Sequence, residues 1–286
     1  MNVFIGYVVV IGAVLLGFFL HQGNFYLLLQ PSEIIIIVGA AAGSVLIASP
    51  PAVLRKIFAS IPKAARGQER SKDDYLDLLK SFYDLFILAQ RNGLLALEKH
   101  VENPEASEVF NRNPTFLNNP TAVAFVCDTL KVMLSGGIPP HEIEELMSVE
   151  IETYESEQRP VPNILAKTAD SLPGLGIVAA VLGVIVTMAS VNEGAIVVGQ
   201  KVAAALVGTF LGVLLCYGFV SPLATNLEMQ MQEDVRFLET IKTCIVSYAK
   251  GNPPIVSVEI ARRTIVTEQR PSFQELESYL RGRPGI

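Results

Sequence analysis

Leu172 to Val191, LPGLGIVAAVLGVIVTMASV, is the stretch that decides the fold. It holds no ionisable side chain, and a helix needs about 20 largely apolar residues to cross a bilayer. A second such run follows close behind, VAAALVGTFLGVLLCYGFVSPL, from Val202 to Leu223. Working outward, Val3 to Leu20 and Ile34 to Ser49 are two more. The Ile34 run reaches spanning length only if Ser32 and Glu33 lie at the interface, which Pro31 encourages as a first helical residue. The prediction is an all-α, polytopic helical membrane protein with four transmembrane helices and a large helical cytoplasmic loop. Half of the 286 residues are hydrophobic and the mean hydropathy is +0.41, too apolar for an ordinary soluble domain. None of the four runs carries an ionisable residue near its centre, where carboxylates and bases normally mark ion relays. A transporter-like chain without the relay group points to half of a two-component device.

Several classes fall away on composition. The first run lacks a preceding basic residue, is long for a signal-peptide core and shows no small-x-small cleavage site, so it reads as a span. A net charge of −6 argues against a nucleic-acid partner. Cys127, Cys216 and Cys244 lie on apolar faces or in a span, so no disulfide frame is expected. His21, His100 and His141 are scattered without ligand spacing, which predicts neither metal nor cofactor. No phosphate loop or nucleophile constellation is visible, so the chain is not expected to be an enzyme.

Orientation follows from the loops. After the second run comes PPAVLRKIFASIPKAARGQERSK, with Arg55, Lys56, Lys63, Arg66, Arg70 and Lys72 against Glu69. The short loops His21 to Gln30 and Asn192 to Lys201 have Lys201 as their single base. The positive-inside bias therefore places the large loop, the tail and both termini in the cytoplasm. Residues 1–50 would hold spans one and two, 51–169 a cytoplasmic helical domain, 170–223 spans three and four, and 224–286 a helical tail. Within the loop, Tyr75, Leu78, Leu79, Phe82, Leu85 and Phe86 form a one-sided apolar stripe ended by Gly93. Val123 to Leu134 is a second helix, stopped by Gly136 and Gly137. His141 to Glu157 is an acidic helix, and Asn226 to Lys250 an amphipathic one. Ser272 with Glu275 forms a capping box that opens a last helix.

Small residues mark close packing: Gly39 and Gly43 in the second run, Gly208 and Gly212 in the fourth, and Gly174, Gly176, Ala179, Ala180 and Gly183 in the third. These serve contacts within one subunit or between subunits alike. Pro173 opens the third run and Pro222 closes the fourth, positions at which proline is tolerated. The sharper alternative makes both prolines hinges at the cytoplasmic membrane edge, beside Asp170. The polar inventory of the runs is Ser44, Thr187, Ser190, Thr209 and Tyr217. Such hydroxyls commonly bond to a carbonyl one turn back, and none carries a proton at accessible pKa. Any ion movement therefore requires a carboxylate from a partner.

DSLPGLGIVAAVLGVI (170–185) and AALVGTFLGVLLCYGFVSPLA (204–224) resemble the A-subunits of bacterial flagellar stators, the MotA type, in their proton-driven branch. QPSEIIIIVGA (30–40), LLALEKHVENPEASEVF (94–110), EIEELMSVEIETYESE (142–157) and EQRPSFQELE (268–277) extend the resemblance in order over nearly the whole chain. It implies a pentamer of A-subunits around two single-span B-subunits (MotB type) that supply the aspartate, with torque delivered to a rotor switch-ring protein of the FliG type. It further implies torque-coupling roles for Pro173 and Pro222, channel-lining roles for Ala180 and Thr209, and rotor-facing charges at Glu98 and Glu150. The family's arginine falls at Gln90 here. That points to Arg91 as the rotor-facing cation, with Lys99 in reserve. Ala180 stands where sodium-driven relatives have a threonine, which favours protons, since sodium prefers several oxygen ligands. Two alternatives are an energiser of the ExbB or TolQ kind and a non-conducting membrane scaffold. An extracytoplasmic N-terminus would favour the first; no added proton conductance with an unplugged partner would favour the second.

Overall fold

The structure, a computed structural model, describes residues 2–66 and 70–282. Glu69 lies outside the described residues, as do the side chains of Lys63 and Arg66. Three helices open the chain: α1 (Asn2–Leu20), α2 (Pro31–Ala48) and α3 (Pro51–Arg66). Then come α4 (Lys72–Asn92), α5 (Glu98–Glu102), α6 (Pro114–Leu117), α7 (Pro120–Ser135) and α8 (Pro140–Gln158). The chain continues with α9 (Pro160–Met188), α10 (Ala195–Leu215), α11 (Ser221–Ala249), α12 (Pro254–Arg262) and α13 (Phe273–Leu280). No strand occurs among the described residues. Two compact units result: Met1–Gln68 with Gln158–Gln230, and Glu69–Glu157 with Met231–Ile286.

The first unit holds the four apolar spans. Its centre is the α9–α10 hairpin, closed by glycines. A Cβ placed on Gly212 would stand 2.6 Å from the Leu172 carbonyl oxygen and 2.8 Å from the Gly176 Cα. One on Gly176 would stand 2.8 Å from the Gly208 carbonyl oxygen. Where lipid gives helices no hydrophobic reason to associate, this backbone-to-backbone approach supplies the van der Waals contact that does. Gly208 and Gly212 therefore serve packing within one chain. Gly39 and Gly43, by contrast, meet nothing within 4 Å. The α2 helix starts at Pro31 as expected and buries Ile37 and Ala41 in a cluster with Ala169, Leu172, Ala179 and Cys216. A separate cluster joins Ile57 and Ala64 of α3 to Val161 and Leu165 of α9 and to Ala224 and Leu227 of α11. No residue of Val3–Leu20 is buried, yet Tyr7 donates a hydrogen bond to the Phe219 carbonyl at 3.1 Å.

The second unit is a ring-rich core built on α4. Ser71 and Asp74 cap its start reciprocally, and Gly93 ends it at φ 82°, a left-handed geometry that suits glycine. All six residues of the α4 stripe are buried. Phe82 and Phe86 lie with Phe125 of α7 and Phe237 of α11 in one cluster, and Phe86 stacks on Tyr248 at 4.1 Å between centroids. Gly136 and Gly137 stop α7 at φ 80° and 81°. The capping box of Ser272 and Glu275 opens α13. Cys127, Cys216 and Cys244 are free and buried.

Two expectations need correction. Pro173 and Pro222 do not sit at helix ends. The α9 helix begins at Pro160, which leaves Pro173 in its interior. The fourth span runs from α10 through a π-helical turn, Cys216–Val220, directly into α11, so Pro222 lies inside a continuous helical rod. Glu33, at the start of the second run, is enclosed by protein. Its exposure is 6%, and it packs into the helices of the first unit.

Candidate functional site

The site in the membrane unit is built on the hairpin seam. Ala180 is buried, and a Cβ on Gly208 would stand 3.2 Å from its backbone nitrogen. Thr209 is next along α10 and half-buried, its Cα on the Gly176 level. The fold thus brings Ala180 and Thr209 to one stretch of seam. Their environments differ: Ala180 faces the neighbouring helix, whereas Thr209 is partly open.

Hydrogen bonding sorts the span hydroxyls more sharply than composition does. Ser44 donates to the Ala41 carbonyl at 2.9 Å and Thr187 to the Gly183 carbonyl at 2.7 Å. Ser190 accepts from the Lys201 ammonium at 2.5 Å. The Thr209 and Tyr217 hydroxyls make no hydrogen bond among the described residues. An unbonded hydroxyl on a half-open wall is available to a proton path or to a second chain.

The prolines act through the missing N–H. Pro222 cannot pair with the carbonyl one turn back, and its ring crowds that carbonyl. The chain answers by widening the preceding turn: the Ser221 N–H bonds to the Cys216 carbonyl, a five-residue step. Tyr7 caps the Phe219 carbonyl within that turn and lays its ring 5.0 Å from the Phe219 ring. The seam contacts pair Leu172 with Gly212, and the α3 cluster places Val161 and Leu165 beside Ala224. Pro173 and Pro222 are therefore separated by about nine residues of helix, roughly 13 Å at 1.5 Å per residue.

In the second unit Arg91, Glu98 and Lys99 are exposed and make no ion pair among the described residues. Glu98 opens α5, and Arg91 lies in the last turn of α4. Gln90 lines a cleft of about 490 Å³ together with Met133 and Tyr248. Glu150 is on the exposed side of α8; partial burial of its carboxyl, and then the negative Asp128, raise it above the usual carboxylate range. No three-residue His, Cys, Asp or Glu group suited to a metal occurs among the described residues.

Glu33 was missed as a site residue because it stands at the edge of an apolar run, where hydropathy cannot distinguish an interfacial carboxylate from a buried one. The signal that would have raised it is its place one turn into a helix that starts at Pro31.

Comparisons with known proteins now bear on the arrangement. Residues 4–93 match the family model described as Motility protein A N-terminal, and residues 119–240 match the MotA/TolQ/ExbB proton channel family. The chain is 40% identical to Motility protein A of Salmonella typhimurium, across 98% of this chain and 95% of that protein. The chain belongs to the motility protein A family. It is also 39% identical to Motility protein A of Escherichia coli over the same shares, and 32% identical to the chemotaxis protein LafT of Vibrio parahaemolyticus over 100% of both. Among solved structures, C. jejuni MotAB is similar with a TM-score of 0.80 at 19% identity, covering 95% of this chain and 98% of that one. The flagellar MotAB stator complex of Bacillus subtilis follows at 0.72 and 23%, covering 92% and 94%. At those identities the likeness speaks for the fold. With four apolar helices, this MotA-family chain is a multi-pass inner-membrane stator subunit, and its relatives are stator and channel proteins, not enzymes. The match over residues 4–93 favours the motility reading over the ExbB or TolQ energiser.

Proposed function

We propose that this MotA-family subunit forms a proton conduit with a single-span partner of the MotB type, and that it turns proton flow into torque on a rotor protein of the FliG type. The subunit is a homo-oligomer, a pentamer by the family resemblance, with both termini and the second unit on the cytoplasmic side. The observation that carries this reading is the α9–α10 hairpin: a backbone-tight wall that leaves the Thr209 hydroxyl unbonded and has prolines inside both of its helical rods.

Proton transfer to the partner's aspartate removes a charge that is costly in low dielectric. The hairpin then repacks, and Pro173 and the π turn before Pro222 are where the rods yield, each lacking a backbone hydrogen bond. The α11 helix continues from the membrane unit into the second unit, a route by which motion reaches Arg91, Glu98 and Glu150. These charges meet the rotor as exposed, unpaired groups, so salt in the cytoplasm screens the contact.

The test is proton flux in vesicles holding the chain and an unplugged partner. Flux is expected with both chains together and absent with either alone; leakage through the purified chain by itself would overturn the reading. Thr209→Val is expected to cut flux, whereas Ser44→Ala, whose hydroxyl only bonds its own helix, is expected to leave it unchanged. Pro173→Ala and Pro222→Ala are expected to assemble normally and stop rotation; full motility in both removes the hinge role.

A further inference from the structure

Glu33 is the only ionisable side chain of α2, and nothing in the conduit reading uses it. It lies in the first turns of that helix with 6% exposure, and its Oε2 atom has no hydrogen-bond partner. Two glycines make its room. A Cβ on Gly208 would stand 2.5 Å from Oε2, and one on Gly183 would stand 3.4 Å from Oε1. The carboxyl group therefore lies across the α9–α10 seam, on the side of Gly208 that also faces the Ala179 methyl and the Ala180 backbone nitrogen; Thr209 is the next residue of α10.

The helices packed on α2 are α9 and α10. From Gly174 to Met188, α9 offers no ionisable side chain. The one ionisable group of α10 is Lys201, seven residues before Gly208 and so about 10 Å along the same face. Its ammonium is already engaged by Ser190 at 2.5 Å and Glu193 at 3.1 Å. His21, in the loop before α2, is exposed and bonds to the Gly17 carbonyl. Among the described residues no cation balances Glu33, and the seam offers it apolar alanine and glycine surface.

An unbalanced carboxylate so placed is costly, and the neutral acid is the form such a site accepts. A sodium ion prefers several oxygen ligands, more than one carboxylate supplies by itself. We propose that Glu33 is a proton-binding site belonging to this chain, which takes a proton from the aqueous end of the hairpin and releases it beside Thr209. The change is carboxylate plus proton to carboxylic acid and back, with no other reactant. The site rests on this geometry, and its use in ion flow rests on the conduit reading above.

The test uses the full chain with its single-span partner in lipid vesicles. Isotope-edited infrared difference spectra, wild type minus Glu33→Gln, should show a protonated-carboxyl band at neutral pH that disappears as pH rises and ignores sodium. A carboxylate band down to acidic pH, or a band that moves with sodium, overturns the proposal. In the same vesicles Glu33→Gln is expected to assemble with its partner and lose proton flux about tenfold or more, with Glu33→Asp recovering part of it. Wild-type flux and torque in Glu33→Gln would overturn the transport role. Absence of flux from the wild-type pair would instead remove the conduit reading, and the infrared band would still decide Glu33.

Discussion

The two units of this chain solve the same packing problem with opposite residues. The membrane unit closes on Gly176, Gly208 and Gly212, where one more carbon would strike backbone. The second unit closes on Phe82, Phe86, Phe125 and Phe237, large rings wholly removed from water. In water, burying an aromatic ring is itself a driving force, so size is an advantage. In lipid that force is absent, and close backbone approach replaces it. The difference also explains Glu33. A core of glycine and alanine leaves space for one carboxyl group, whereas a ring-filled core leaves none.

Mutation can break this contrast at either end. The largest effect is expected from Gly212→Val. Its Cβ would meet the Leu172 carbonyl and the Gly176 Cα, neither of which is the end of a flexible side chain. Folded protein should not be recovered from detergent extracts, whereas Gly39→Val, with open space around it, should leave the chain's own stability within about 0.5 kcal/mol. Equal recovery of the two variants would remove the glycine-closure argument.

Next in size is Phe86→Ala in the second unit, where a buried ring and its stack on Tyr248 are lost. The expected cost is about 3–5 kcal/mol, read from denaturant unfolding of the full chain. The same truncation on the membrane unit's outer surface, Phe4→Ala at 69% exposure, should be nearly silent in that assay.

The smallest effect concerns the α13 cap. Ser272→Ala removes a hydroxyl that accepts the Glu275 N–H, for about 1 kcal/mol. The Ser272 backbone N–H and hydroxyl, with Lys72, hold the Glu275 carboxyl down to about 2. A depressed carboxyl stabilises the fold above its unfolded range near pH 4 and loses that contribution as pH falls toward 2. The wild-type advantage over Glu275→Gln should therefore fade on acidification, measured by melting temperature against pH.

Much of this was legible in the chain itself. Pro31, Gly93, Gly136 and the Ser272–Glu275 pair mark helix ends through local geometry, and the structure places the ends there. The α4 stripe buried the residues its period indicated. Pro173 and Pro222 were read as end positions because hydropathy reports where a span leaves the apolar layer, not where its helix stops. The two glycine pairs looked alike, since spacing says nothing about which face meets a neighbour.

Local and one-dimensional properties were settled by the residues alone: four apolar runs, their helical state, their caps and the family to which they belong. They depend on hydropathy, φ preferences and hydrogen bonding among residues a few positions apart. Only the tertiary structure decided which glycines touch, which hydroxyl stays unbonded and that Glu33 is enclosed. Those depend on contacts between residues distant in the chain, 32 to 40 positions apart for the seam glycines and 150 to 175 for Glu33 with Gly183 and Gly208, which no local pattern encodes.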